Sequence, residues 1–122
     1  MNTTGLIVFA HGSKLEAANE AVRAVSASLA SSGDRMVETA FLELGTPDLP
    51  GAVRSLAARG ADRIVVIPYF LTLGRHVEED LPRIVKEISQ EHPGLQIEVT
   101  PPLDGHPALL DALLDRAREA RV

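Results

Sequence analysis

Two histidines and one glutamate stand where a short apolar run breaks into polar residues. His11 closes such a run in "LIVFAHGSK" (6–14), Glu43 stands in "AFLELGTP" (40–47), and His76 lies in "PYFLTLGRHVEED" (68–80). Two imidazoles and a carboxylate can ligate a divalent ion of intermediate softness, or move protons near neutral pH. The chain has no cysteine, so a thiolate metal site and a disulfide are both excluded. Taken singly, each residue has a commonplace alternative: a loop histidine bonded to nearby backbone, or a solvated glutamate at a strand end. They make a site only if the fold gathers them, so the elements that carry them decide the matter.

Short apolar runs alternate four times with longer stretches of helical spacing. Strands are expected near 5–10, 36–42, 63–67 and 96–99, and helices near 15–31, 48–59, 80–91 and 107–120. Leu15, Ala18, Val22, Val25 and Leu29 recur at intervals of three and four, which puts them on one face of the first helix. Val53, Leu56 and Ala57 do so in the second, Leu81, Ile84, Val85 and Ile88 in the third, and Leu110, Leu113, Leu114 and Ala117 in the fourth. Gly33 and Gly60 follow the first two helices, "HPG" (92–94) ends the third, and "GTP" (45–47) precedes the second. This alternation is the signature of one α/β domain with a mainly parallel sheet and right-handed crossovers.

Strand composition suggests the order of that sheet. "LIVFA" and "IVVI" are apolar throughout, as in strands covered on both faces, whereas "LQIEV" alternates and has one wetter face. The first and third strands are therefore expected as central neighbours, in the order 2-1-3-4. Such a sheet reverses its winding between them, and ligands of open parallel sheets bind beyond the carboxyl ends of the strands at that reversal. His11, Glu43 and His76 follow strands one, two and three, so all three are expected on that rim.

Composition narrows the partners. Seventeen acidic against twelve basic residues give a net charge of -5, and only 3% of residues are aromatic, so neither a basic stripe nor a stacking platform for nucleic acid is present. No segment has the apolar length of a membrane span or the flanks of a signal peptide, and a soluble cytoplasmic protein is expected. GxGxxG, GxxxxGK[ST] and GxSxG are all missing, which leaves dinucleotide, P-loop and serine-elbow chemistry without support. His92 and His106 each precede a proline at a helix exit and a helix entrance, where a turn or cap role suffices. Asp80 before "LP" is expected to cap the third helix, with Pro82 in its first turn.

In order along the chain, these segments resemble the small single-domain sirohydrochlorin chelatases, the cobalt and iron chelatases of cobalamin and sirohaem synthesis. "LIVFAHGS" (6–13) is similar to that family's opening strand and histidine, and "AFLE" (40–43) to its strand-two glutamate. "PYFLTLGRHVEEDLP" (68–82) is similar to its third-strand loop, and "PPLDGHPAL" (101–109) to its entry into the last helix. The resemblance covers almost the whole chain and implies one chelatase-like half-domain over residues 1–122.

It further implies insertion of Co²⁺, Fe²⁺ or Ni²⁺, as substrate, into the tetrapyrrole sirohydrochlorin, with no permanent organic cofactor. His11 and His76 would be the metal ligands, His11 also the leading base, and Glu43 a proton relay or auxiliary ligand. Which of the three takes the pyrrole protons stays open. Gly12, Ser13 and the loop Leu71, Thr72, Leu73, Gly74 and Arg75 would line the macrocycle, with Arg75 toward a substrate carboxylate. A homodimer is implied as well, because longer relatives face two such domains across a cleft. The alternative is a carrier of metal or tetrapyrrole that uses the same crevice without catalysis.

Overall fold

Four parallel strands form the sheet: β1 (Thr4–Ala10), β2 (Met36–Phe41), β3 (Arg63–Pro68) and β4 (Gln96–Val99), in the order β2-β1-β3-β4. The helices between and after them are α1 (Glu16–Ser31), α2 (Leu49–Ala58), α3 (Arg75–Glu91) and α4 (Pro107–Glu119). The structure is a computed structural model and describes residues 3–120, so the two residues at each end of the expected 1–122 domain lie outside it. The expected strand order is the observed one. β1 is paired on both sides, Ile7 lying opposite Glu38 of β2 and Val66 of β3, and its last four residues are buried.

One face of the sheet carries the core. Ile7, Phe9, Ile64 and Val66 point the same way at period two and pack under Leu49, Ala52, Val53 and Leu56 of α2 and Leu81 and Ile88 of α3. Each of the larger side chains among them, Val, Leu, Ile or Phe, stabilises the fold by about 1.5–3 kcal/mol when fully buried. The apolar stripes expected for α2 and α3 are the ones that face the sheet.

The opposite face departs from expectation. α1 turns inward not its apolar stripe but Asn19 and Ser26, while Leu15 is 67% and Val25 39% exposed. The physical reason lies in what α1 meets. The Thr39 hydroxyl of β2 donates to Ser26 Oγ at 2.6 Å, and Asn19 meets backbone of the two loops beyond β1 and β2. Buried polar groups must find partners, and that requirement sets the rotation of the helix.

Two further corrections concern the second half of the chain. α3 starts at Arg75 with Gly74 as its N-cap, so Asp80 lies inside the helix and caps nothing, and Pro82 is an interior proline. β3 is not covered on both faces: Ile64, Val66 and Pro68 are buried, but Val65 and Ile67 are only half-buried. α4, the helix with the apolar residues to cover them, buries none of its own side chains, and Leu110, Leu113 and Leu114 are 61%, 69% and 44% exposed.

Punctuation at the remaining ends is as read. His92 is the C-cap of α3, and His106 caps α4 by accepting from the Ala108 N–H at 3.1 Å. α2 is capped by Asp48, whose carboxylate accepts from the Gly51 N–H at 2.9 Å.

Candidate active site

Beyond their last ladder residues, β1 and β2 stay paired. The Leu42 N–H donates to the Ala10 carbonyl at 2.9 Å and the Glu43 N–H to the His11 carbonyl at 3.0 Å, so the two candidate side chains leave the sheet side by side. His11 Nε2 stands 3.7 Å from Glu43 Oε1, and both side chains are about half exposed, at 53% and 57%. His11 Nδ1 lies 3.2 Å from the Gly12 carbonyl oxygen. With the proton on Nδ1 and donated to that carbonyl, the Nε2 lone pair is left for a metal ion or a proton.

Gly12 makes this pairing possible. Its φ is +94°, and a Cβ there would stand 1.7 Å from the Glu43 carbonyl oxygen, so the close approach of the two loops admits no side chain. Ser13 follows with its hydroxyl accepting from the Leu15 N–H at 3.0 Å, a turn-forming bond.

The loop after β3 forms the third side. The Tyr69 N–H donates to the Phe9 carbonyl at 2.7 Å, and the Phe70 ring packs tilted against Phe9 with centroids 6.1 Å apart. The carbonyls of Phe70 and Leu71 accept from Leu103 and Asp104 at 2.9 and 2.8 Å, which ties this loop to the segment leading into α4. Thr72, Gly74 and Arg75 are exposed and Leu73 is half-buried. The Arg75 side chain is 87% exposed with Glu79 at 3.5 Å, a pair worth little in water.

His76 is the second residue of α3 and exposed, on the carboxyl side of the sheet like His11 and Glu43. The structure brings His11 and Glu43 together, but among the described residues no three His, Asp or Glu side chains converge as a metal cage would require. His76 therefore stands on the rim apart from the pair.

Exposed apolar side chains share the loops of these polar ones, and of them the sequence reading placed only Leu71 against a ligand. Leu15, Leu44, Tyr69 and Leu71 are 67%, 50%, 40% and 66% exposed, and they sit on the loops that follow β1, β2 and β3. Exposed apolar groups gathered around convergent polar ones mark a binding surface. Their loop positions beside His11, Glu43 and His76 were the available signal. Leu44 in addition holds φ at +57°, rare for a residue with a Cβ.

At the edge of this surface, the Arg23 guanidinium holds the Glu16 carboxyl below its usual range, with the Asn19 amide adding to the effect. Arg23, bonded to Glu16 and Glu20, is held above its own. It also lies 5.2 Å from the centre of the Phe41 ring.

The profile of the CbiX family matches residues 5–120. The chain belongs to the CbiX family. This CbiX chain is 32% identical over 116 residues to the sirohydrochlorin cobaltochelatase of Sulfolobus acidocaldarius, covering 95% of itself and 91% of that protein. It is 34% identical over 113 residues to the chloroplastic sirohydrochlorin ferrochelatase of Arabidopsis thaliana, covering 92% of itself but only 50% of that protein. Among solved structures, a cobalamin-biosynthesis CbiX protein of Marinobacter aquaeolei superposes with a TM-score of 0.84 at 28% identity, covering 96% of both chains. The cobalt complex of the sirohydrochlorin chelatase SirB of Bacillus subtilis shares the fold, with a TM-score of 0.88 at 21% identity, and the CbiX chain spans 50% of it.

Proposed function

We propose that this protein is a sirohydrochlorin chelatase, which exchanges two pyrrole N–H protons of the macrocycle for a divalent metal ion and releases both protons. The observation that carries the reading is the His11–Glu43 pair, 3.7 Å apart, with exposed apolar residues on the three loops that follow β1, β2 and β3. A flat macrocycle fits such a rim, and the polar pair within it supplies what insertion needs. Family membership and chelatase-named relatives support the same reading.

The chemistry suits a sparse site. A closed set of four ligands would retain the ion, whereas His11 leaves most coordination positions to water and then to the four ring nitrogens. Imidazole accepts cobalt, iron and nickel alike. In this reading His11 Nε2 receives the ion, His76 is a second metal-binding group farther along the same rim, and Glu43 takes up pyrrole protons as the metal enters. Gly12, Ser13 and residues 71–75 form the contact surface for the ring, with Arg75 free to reach a carboxylate.

Assembly as a homodimer belongs to the same reading. α4 carries three exposed leucines and buries nothing, while Val65 and Ile67 lie half-covered on the sheet. A second copy supplies α4 as cover for that face and a second wall for the macrocycle. The cytoplasm is the compartment this reading assigns; among the described residues no helix is long and apolar enough to cross a membrane.

The test is an anaerobic absorbance time course of sirohydrochlorin with Co²⁺, Fe²⁺ or Ni²⁺. Acceleration by the native chain, abolished in His11→Ala, is the expected result, and the order of rates ranks the metals. A native rate equal to the protein-free rate, with macrocycle still bound, would leave a carrier in its place.

A further inference from the structure

Asn19 is 1% exposed, the most buried polar side chain of α1, and its amide is used at both ends. Oδ1 accepts from the Ser13 N–H at 2.9 Å, while Nδ2 donates to the Ser13 carbonyl at 2.9 Å and to the Leu44 carbonyl at 3.0 Å. Glu16 Oε2 takes a further bond from Nδ2 at 3.2 Å. Ser13 is two residues beyond His11, and Leu44 is the residue after Glu43. One buried amide thus fastens the two loops that carry the catalytic candidates, in addition to their own backbone pairing.

We infer that Asn19 is a positioning residue, which fixes the separation of His11 and Glu43 through Ser13 and Leu44. The inference rests on the reading that this pair does the work. Only a side chain with an acceptor and two donors on one planar group can accept from one loop while donating to both. Leu44 needs the fastening most. Its φ of +57° is unfavourable for leucine and persists only where surrounding bonds impose it. Without the Nδ2 bond Leu44 relaxes, and Glu43, one peptide away, turns from His11. Both side chains are about half exposed, so little packing of their own holds them in place.

Asn19→Asp is the isosteric test. It keeps the acceptor for Ser13 but turns a carboxylate oxygen toward two carbonyls and Glu16. A purely structural role and a positioning role both predict a lower melting temperature; they differ in kinetics. Displacing a catalytic group by about 1 Å costs on the order of 10²-fold, so kcat should fall by about 10- to 100-fold with KM changed less than about threefold. A double-mutant cycle then decides. Combined with Glu43→Gln, Asn19→Asp should cause little further loss, because the group it positions is already disabled. Combined with Arg75→Ala, at the start of α3 and outside both fastened loops, the losses should multiply.

Full activity of Asn19→Asp, or equal multiplication in both backgrounds, overturns the proposal. Should Asn19→Asp fail to fold, Asn19→Ser replaces it in the same cycle, since the shorter neutral side chain loses the reach to Leu44. The underlying reading is judged separately by the Glu43→Gln single variant. Insertion there at the native rate removes Glu43 from the chemistry, and the positioning role falls with it.

Discussion

The Glu43 amide donates to the His11 carbonyl at 3.0 Å, and their side chains meet again at 3.7 Å, so this histidine and carboxylate are coupled through backbone and side chain at once. The coupling is built from parallel-strand pairing carried past the end of the sheet. It leaves both groups open to a ligand while limiting how far they can separate.

The proposed reading gives Glu43 a proton role rather than a binding one. Glu43→Gln keeps the shape and loses the base, so insertion should slow by about 10²-fold or more while macrocycle affinity stays nearly unchanged. Absorbance titration beside single-turnover rates checks this. Equal losses in binding and rate would assign the residue to recognition.

Gly12→Ala should destabilise the fold and disable the site together. The positive φ alone costs about 1–3 kcal/mol in a residue with a Cβ, and the methyl group would also collide with the Glu43 carbonyl. Urea unfolding should show a lower midpoint, and insertion by the folded fraction should be lost. An unchanged midpoint would contradict the loop geometry.

The lowered carboxyl of Glu16 gives a pH dependence whose sign follows from linkage. Its folded value lies below its unfolded one, so the stability it contributes is present above the ordinary carboxylate value and disappears as pH falls through the folded one. Melting temperatures of the native chain and Glu16→Gln should therefore differ near about pH 7 and converge as the pH falls through the folded value, below the ordinary carboxylate range. Curves that stay parallel would show that Arg23 and Asn19 do not favour the charged form.

Leu113→Glu probes the open face of α4. Leu113 is 69% exposed, so in a lone chain the change should alter neither folding nor size. The homodimer reading predicts a shift in sedimentation velocity from dimer to monomer at the same concentration. A native chain already monomeric at working concentration would end that reading.

The sheet order was legible because burial writes itself into strand composition: "LIVFA" could serve only a strand buried at the centre, and its position put His11 on the rim. Glu43 was legible for the same reason. The start of α3 was not, because Gly74 caps through backbone alone and Arg75 places a cation where a helix favours an anion, whereas Asp80 and Pro82 imitate a start one turn later. The inward face of α1 was hidden too. Periodicity ranks positions by apolar character, and it cannot see that a threonine hydroxyl and two loop backbones await Asn19 and Ser26.

A helix of 13 residues that buries no side chain is near the length at which an isolated helix frays in water. The order of α4 must come from whatever lies against it, which makes it a local gauge of occupancy. If a second copy provides that cover, amide hydrogen exchange across α4 should slow as protein concentration rises, while exchange in β1 stays fixed by the core.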